Sequence, residues 1–404
     1  MKYIFIKTLI LITSFGLANC KEEAVSDVTP IVVERNLVES TLLYEVSLTD
    51  LQNLANLFGQ TEFVEHIKHG ISAHKIIYET TYKSKLIKAS GVMYLPTNLN
   101  TKAPLLSIQH GTTFLNSDVP SASGSFSGME YFAAGGYITF MPDFIGYGES
   151  AEIFHPYYDQ KHSAYAVIDL VKAGKNFLND NDIQYNDQLF LAGYSEGGYV
   201  TMATAKELEL HTGHNLKPIA VAAGAGGYDL SEMLEIIKTN DSYPYPAYLA
   251  FIIMSYNETN DWKLPLTYFF QEKYAAALPG VMDGSKSGDQ INAVLTTNLN
   301  ELFNPEFYEK INLGTEPNFQ EALVKNSIGF DSWVPTAPTR LFHGTADNIV
   351  PFGNSEKVFQ NLAKNGAKDI QLIKIEGGTH GSSLIPMIQS LVPWFQSMIS
   401  KESL

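Results

Sequence analysis

Apolar positions along this chain follow two rhythms. Short, near-continuous apolar runs occur at 104–109, 137–141, 188–192, 218–222, 339–342 and 370–375. Runs of this length without polar alternation predict strands covered on both faces, as in a parallel sheet. Helical spacing predicts helices over 161–179, 197–211 and 355–365, and a closing helix within 382–400 whose bounds Pro386 and Pro393 obscure. Strand and helix in alternation imply an open, mostly parallel sheet with right-handed crossovers.

Ahead of this region, 74–82 and 87–95 read as extended runs joined by a Lys83-Ser84-Lys85 turn, an antiparallel hairpin expected at the sheet edge. Thr49-Asp50-Leu51-Gln52 resembles a capping box, and Leu51, Leu54 and Leu57 follow at helical spacing. The alternation lapses between Tyr228 and Phe330. That segment is crowded with aromatics, among them Tyr243, Tyr248, Phe251, Tyr256 and Trp262. It reads as a mainly helical cap inserted into an α/β core. Most of its aromatics should form the cap's own core, and a few should line a pocket.

Composition narrows the class of protein. The chain has 404 residues, 45% hydrophobic and 17% charged, which describes a folded globular chain rather than a disordered one. A net charge of −16 without a basic cluster argues against nucleic acid as a partner. Lys2 and Lys7 precede an apolar stretch from Thr8 to Leu17, too short to span a bilayer. Leu17-Ala18-Asn19-Cys20 follows, holding the one cysteine of the sequence. This resembles a bacterial lipoprotein signal, although Asn19 departs from the usual small residue. The expected organisation is a signal peptide over 1–19, a lipidated Cys20 and tether over 20–45, a first core segment over 46–227, the cap over 228–330 and a second core segment over 331–404. The protein is then exported and tied to a membrane by a lipid on Cys20, with the outer-membrane surface as one destination suggested by Lys21-Glu22-Glu23.

The candidate chemistry sits where predicted strands end. Gly193-Tyr194-Ser195-Glu196-Gly197 lies between a strand and a helix, a context in which small residues permit a strained turn that exposes the serine hydroxyl. Ser195 is the candidate nucleophile. His380, in Gly377-Gly378-Thr379-His380, follows the strand at 370–375 and is the candidate base. Asp347, after the strand at 339–342, is the candidate acid that orients it, with Asp229 as a rival after the strand at 218–222. The oxyanion site should combine the backbone N–H of Glu196 with that of Thr112 or Thr113, in the His110-Gly111-Thr112-Thr113 loop. Glu196 is expected to turn its side chain away. Asp143, in Pro142-Asp143-Phe144-Ile145-Gly146, has no step to perform and is given a structural role. The ten histidines show no His-Glu-x-x-His spacing, so no metal site is expected.

Together, His110-Gly111-Thr112, Pro142 to Gly148, Gly193 to Gly198, His343 to Asp347 and Gly378-Thr379-His380 resemble the α/β-hydrolase superfamily, and within it the secretory lipase-like esterases. The resemblance runs from about Ser47 to about Ile399. It implies hydrolysis of small-molecule or lipid esters through an acyl-enzyme on Ser195, with neither metal nor organic cofactor. A serine peptidase of the same fold and a non-catalytic binding lipoprotein are the alternatives.

Overall fold

The computed structural model describes residues 35–402 apart from 60, 125 and 240. The proposed signal peptide, Cys20 and the first part of the tether lie outside the described residues. Nine strands form one sheet in the order β1-β2-β3-β5-β4-β6-β7-β8-β9. They are β1 (Leu37–Val46), β2 (Ile71–Tyr82), β3 (Lys85–Pro96), β4 (Ala103–Gln109), β5 (Ile138–Pro142), β6 (Tyr185–Tyr194), β7 (Pro218–Gly224), β8 (Thr339–Gly344) and β9 (Ile370–Ile375). β1, β2, β3 and β5 pair antiparallel in that order, and the pairs β5–β4, β4–β6, β6–β7, β7–β8 and β8–β9 are parallel.

Alternate residues of the parallel strands face opposite apolar layers. Leu105, Leu191, Val221 and Leu341 join the core under α3 (Gln160–Asp180) and α4 (Glu196–Leu210). Leu106, Phe190, Ala222 and Phe342 join a second core with α1 (Leu48–Leu57), α2 (Glu130–Ala134) and α14 (Leu384–Glu402). Burial on both faces is why these strands read as unbroken apolar runs.

Three expectations are corrected here. Residues 37–45 are strand rather than tether, because β1 pairs along β2 through two register shifts. Most of its side chains stay exposed, Val38, Leu42 and Leu43 among them, and its apolar residues do not alternate with polar ones as on a half-buried strand. The hairpin is therefore one strand in from the edge; its two turn residues, Lys83 and Ser84, adopt φ values of 45° and 61°, as a tight two-residue turn requires. The N-cap of α1 is Ser47 rather than Thr49, its Oγ accepting from the Asp50 N–H at 3.1 Å. Pro393 lies inside α14 without ending it.

Between β7 and β8 the chain forms α5 (Leu230–Lys238), α6 (Pro246–Thr259), α7 (Leu266–Phe269), α8 (Glu272–Val281), α9 (Gly288–Val294), α10 (Leu299–Leu302), α11 (Pro305–Leu313) and α12 (Pro317–Asn326). The two ends of this helical insertion meet where the Ile328 N–H donates to the Tyr228 carbonyl at 2.8 Å. After β8 come α13 (Phe352–Lys364), β9 and α14. The termini of β4, β6, β8 and β9 thus carry the four candidate loops at one edge of the sheet, where open α/β sheets place their sites.

Candidate active site

Ser195 lies between β6 and α4, at the N-cap of α4, with φ 60° and ψ −125°. A side chain in that region is strained, and the surroundings hold it there. The turn is tight because backbones touch. A Cβ on Gly197 would stand 2.0 Å from the Gln109 carbonyl oxygen, and one on Gly198 2.3 Å from that of Gly224. Only glycine permits this packing of α4 onto β4 and β7.

Residues distant in sequence converge on that serine. His380 Nε2 is 2.9 Å from Ser195 Oγ, and His380 Nδ1 is 2.7 Å from Asp347 Oδ2. The Tyr194 hydroxyl donates to the His380 carbonyl at 2.6 Å, which anchors the loop. Asp347 Oδ1 accepts from the N–H groups of Ile349 and Val350 at 2.9 and 3.0 Å. Its Oδ2 also lies 3.2 Å from His343 Nε2. His343 is fully buried, and its Nε2 proton is shared with the Val350 carbonyl at 2.8 Å. Burial alone would push the Asp347 carboxyl up. Hydrogen bonds from His343 and His380, the charge of His380 and the Ile349 N–H outweigh it and hold the carboxyl well below the usual carboxylate range.

Asp229 is placed elsewhere. It caps α5 through the Glu232 N–H at 3.0 Å and pairs with Lys357 at 2.6 Å. Asp143 is fully buried and accepts from Ser90 Oγ at 2.6 Å and from the Ser121 N–H at 2.8 Å. It ties β3 and the loop after β4 to the end of β5.

Gly111 runs beside the nucleophile, its ideal Cβ site 3.5 Å from Ser195 Cβ. Thr112 lines the same cavity as Ser195, with its Oγ1 3.1 Å from the Tyr157 hydroxyl. Thr113 turns into its own loop, accepting from the Leu115 N–H at 3.2 Å. Its carbonyl accepts from the Tyr147 hydroxyl at 2.5 Å. Glu196 opens α4, where an N–H has no partner within the helix. Its side chain is buried and is engaged by His155 Nε2 at 2.8 Å. Nothing near His155 in the sequence signals that pairing, and His343 carried no signal beyond its closeness to Asp347.

The cavity above Ser195 is walled mainly by apolar and aromatic groups, including Tyr157, Tyr243, Tyr248, Ile252 and Phe319. Two cap tyrosines thus line it, while Tyr256, Phe269 and Phe270 are buried in the cap's core. Among the described residues no group of His, Cys, Asp and Glu side chains could hold a metal ion. No described helix is long and apolar enough to cross a membrane.

Comparison with known proteins agrees with this architecture. The model of the secretory lipase family matches residues 129–402. A secreted triacylglycerol lipase of Malassezia furfur is 23% identical over 277 residues, 68% of this chain and 68% of that one. A candidate hydrolase from Legionella pneumophila superimposes with a TM-score of 0.82 at 27% identity, over 90% of this chain and 98% of that chain. The rice cell wall degrading esterase LipA from Xanthomonas oryzae does so with a TM-score of 0.76 at 23% identity, over 88% and 94%.

Proposed function

The chain belongs to the secretory lipase family, and on that footing we propose that it hydrolyses carboxylic esters with an apolar acyl group by a Ser195–His380–Asp347 triad. The single observation that carries this reading is the strained Ser195 with His380 Nε2 2.9 Å from its hydroxyl.

In this mechanism the Ser195 hydroxyl donates to His380 Nε2, because Asp347 accepts the proton on Nδ1 and so selects the tautomer. Ser195 Oγ attacks the ester carbonyl carbon while Nε2 takes the hydroxyl proton. The carbonyl oxygen becomes an oxyanion held by the N–H groups of Glu196 and Thr112. Thr112 is favoured over Thr113 because it faces the Ser195 cavity. Collapse of the tetrahedral adduct breaks the bond to the alcohol, which leaves with the proton from Nε2. A water then attacks the acyl-enzyme, again giving its proton to Nε2, and the acid is released as Ser195 recovers that proton. Asp347 stays ionised throughout and stabilises the imidazolium.

The cap, over 228–330, supplies the apolar wall that receives the acyl chain. Export and lipidation of Cys20 complete the proposal and rest on the Leu17-Ala18-Asn19-Cys20 motif. The test is hydrolysis of p-nitrophenyl esters from acetate to palmitate by the full chain in detergent, beside Ser195→Ala. Turnover that falls by about four orders of magnitude in the variant is expected. Turnover that survives it removes the mechanism.

A further inference from the structure

Glu196 and His155 make a buried pair that the triad does not use. Glu196 is 1% exposed and His155 5%. His155 Nε2 lies 2.8 Å from Glu196 Oε1, and His155 Nδ1 lies 2.7 Å from the Ile145 carbonyl oxygen. That carbonyl can only accept, so Nδ1 carries a proton. A bare Nε2 against a bare carboxylate would set lone pair against lone pair, so a second proton lies in the Nε2–Oε1 bond. Whichever atom holds it, the pair is neutral as a whole.

The surroundings make that neutrality matter. The His155 ring packs against Tyr147, Phe251 and Phe144, with centroids 4.9, 5.6 and 6.0 Å away. A carboxylate left alone among these rings would be poorly screened. The chain also turns at Gly146, where φ is 96° and a Cβ would stand 2.4 Å from His155 Cα. The loop after β5 is thereby threaded against the first turn of α4.

We infer that His155 is a positioning residue for the oxyanion site, cancelling the charge of Glu196 and clamping the residue whose N–H receives the oxyanion. The inference rests on the proposed roles of Ser195 and of the Glu196 N–H. An oxyanion site works through fixed dipoles in a poorly screened environment. An unpaired carboxylate on the donating residue would act there with the opposite sign. The pair removes that opposition while keeping an acidic side chain beside the nucleophile. It also couples the site to the cap, since Phe251 of α6 packs on His155 and stacks on Tyr157 at 4.6 Å.

The test uses the full chain in detergent, with p-nitrophenyl butyrate as substrate and a fluorophosphonate to count competent Ser195. His155→Gln should lower kcat per competent site by about a hundredfold and leave KM within about twofold. Glu196→Gln, which removes charge and keeps the N–H, should lower kcat by less than about fivefold. The double variant should regain at least about tenfold over His155→Gln. A double variant as slow as His155→Gln, or slower, would mean the pair serves packing alone and overturns the inference. So would a Glu196→Gln loss as large as that expected for His155→Gln, an outcome that decides the matter even if His155→Gln does not fold. A wild type without Ser195-dependent turnover would overturn the nucleophile assignment, and this inference with it.

Discussion

Asp347→Asn should cripple turnover by trapping His380 in the wrong tautomer. The structure allows the size of the effect to be worked out. Asp347 Oδ1 accepts from two backbone N–H groups at 2.9 and 3.0 Å, and Oδ2 faces His380 Nδ1 at 2.7 Å and His343 Nε2 at 3.2 Å. An asparagine has one accepting and one donating end. Its oxygen must meet the two backbone N–H groups, because the opposite flip sets donors against donors in a buried place. Two unmet donors at about 1–3 kcal/mol each favour the first flip by about 2–6 kcal/mol. The His343 N–H then loses one acceptor but keeps the Val350 carbonyl. In that flip the amide donates to His380 Nδ1, the ring proton moves to Nε2, and Nε2 can no longer accept from Ser195. Catalysis proceeds only from the disfavoured flip, so kcat should fall between about 30-fold and about 2.5 × 10⁴-fold. The assay is ester hydrolysis normalised to fluorophosphonate-reactive sites, with Asp229→Asn beside it as a change to a helix cap. An Asp347→Asn enzyme within about threefold of wild type would refute the reasoning. The same substitution has an acid-stability arm. The folded carboxyl is depressed, so the unfolded chain takes up the proton first as pH falls. Its stabilisation is present above the ordinary carboxylate value of about 4 and is lost as pH falls from there through the lowered folded value. The melting-temperature gap between wild type and Asp347→Asn should therefore close on acidification.

Ser195→Gly should abolish turnover and raise unfolding stability by about 1 kcal/mol, because glycine relieves the positive φ; urea titration beside Ser195→Ala measures it. Ile252→Trp fills the wall of the Ser195 cavity, so turnover of decanoate esters should drop at least about tenfold relative to acetate, and an unchanged chain-length profile would place the acyl chain elsewhere. Gly198→Ala must displace a backbone carbonyl 2.3 Å from the new methyl and should cost more than about 2 kcal/mol of stability or prevent folding, read by thermal melting. Cys20→Ser should move the expressed protein from membrane to soluble fractions, and unchanged partitioning would sink the lipid anchor.

Much of the core was legible because its physics is local. Strands buried on both faces must be apolar throughout, so β4 to β8 stood out as runs; β9, expected to be covered likewise, is the exposed edge strand and carries Gln371 and Lys374. A turn packed so closely that a Cβ on Gly197 would stand 2.0 Å from a carbonyl oxygen admits only glycine, so the Gly-x-Ser-x-Gly segment was visible in the sequence. Chemistry that needs a hydroxyl, an imidazole and a carboxylate at strand ends limited Ser195, His380 and Asp347 to few rivals.

What depended on long-range packing was not legible. β1 is an edge strand whose apolar residues, the exposed Val38, Leu42 and Leu43 among them, follow no strand alternation, and its pairing with β2 alone defines it. Asp229 and Asp347 both follow core strands, and only the folded loops decide that one caps α5 while the other meets His380. Which cap aromatics turn to the cavity and which to the cap's interior depends on how eight helices pack, not on any period in the segment. His155 meets Glu196 across 41 residues, because the loop after β5 folds onto the first turn of α4 with Tyr147 and Phe251 packed on the His155 ring. The sequence by itself determined the elements and the chemical kinds available at their ends, since those follow from burial and backbone sterics. The tertiary structure alone decided which charges face each other, since that depends on distances the chain acquires only when it is packed.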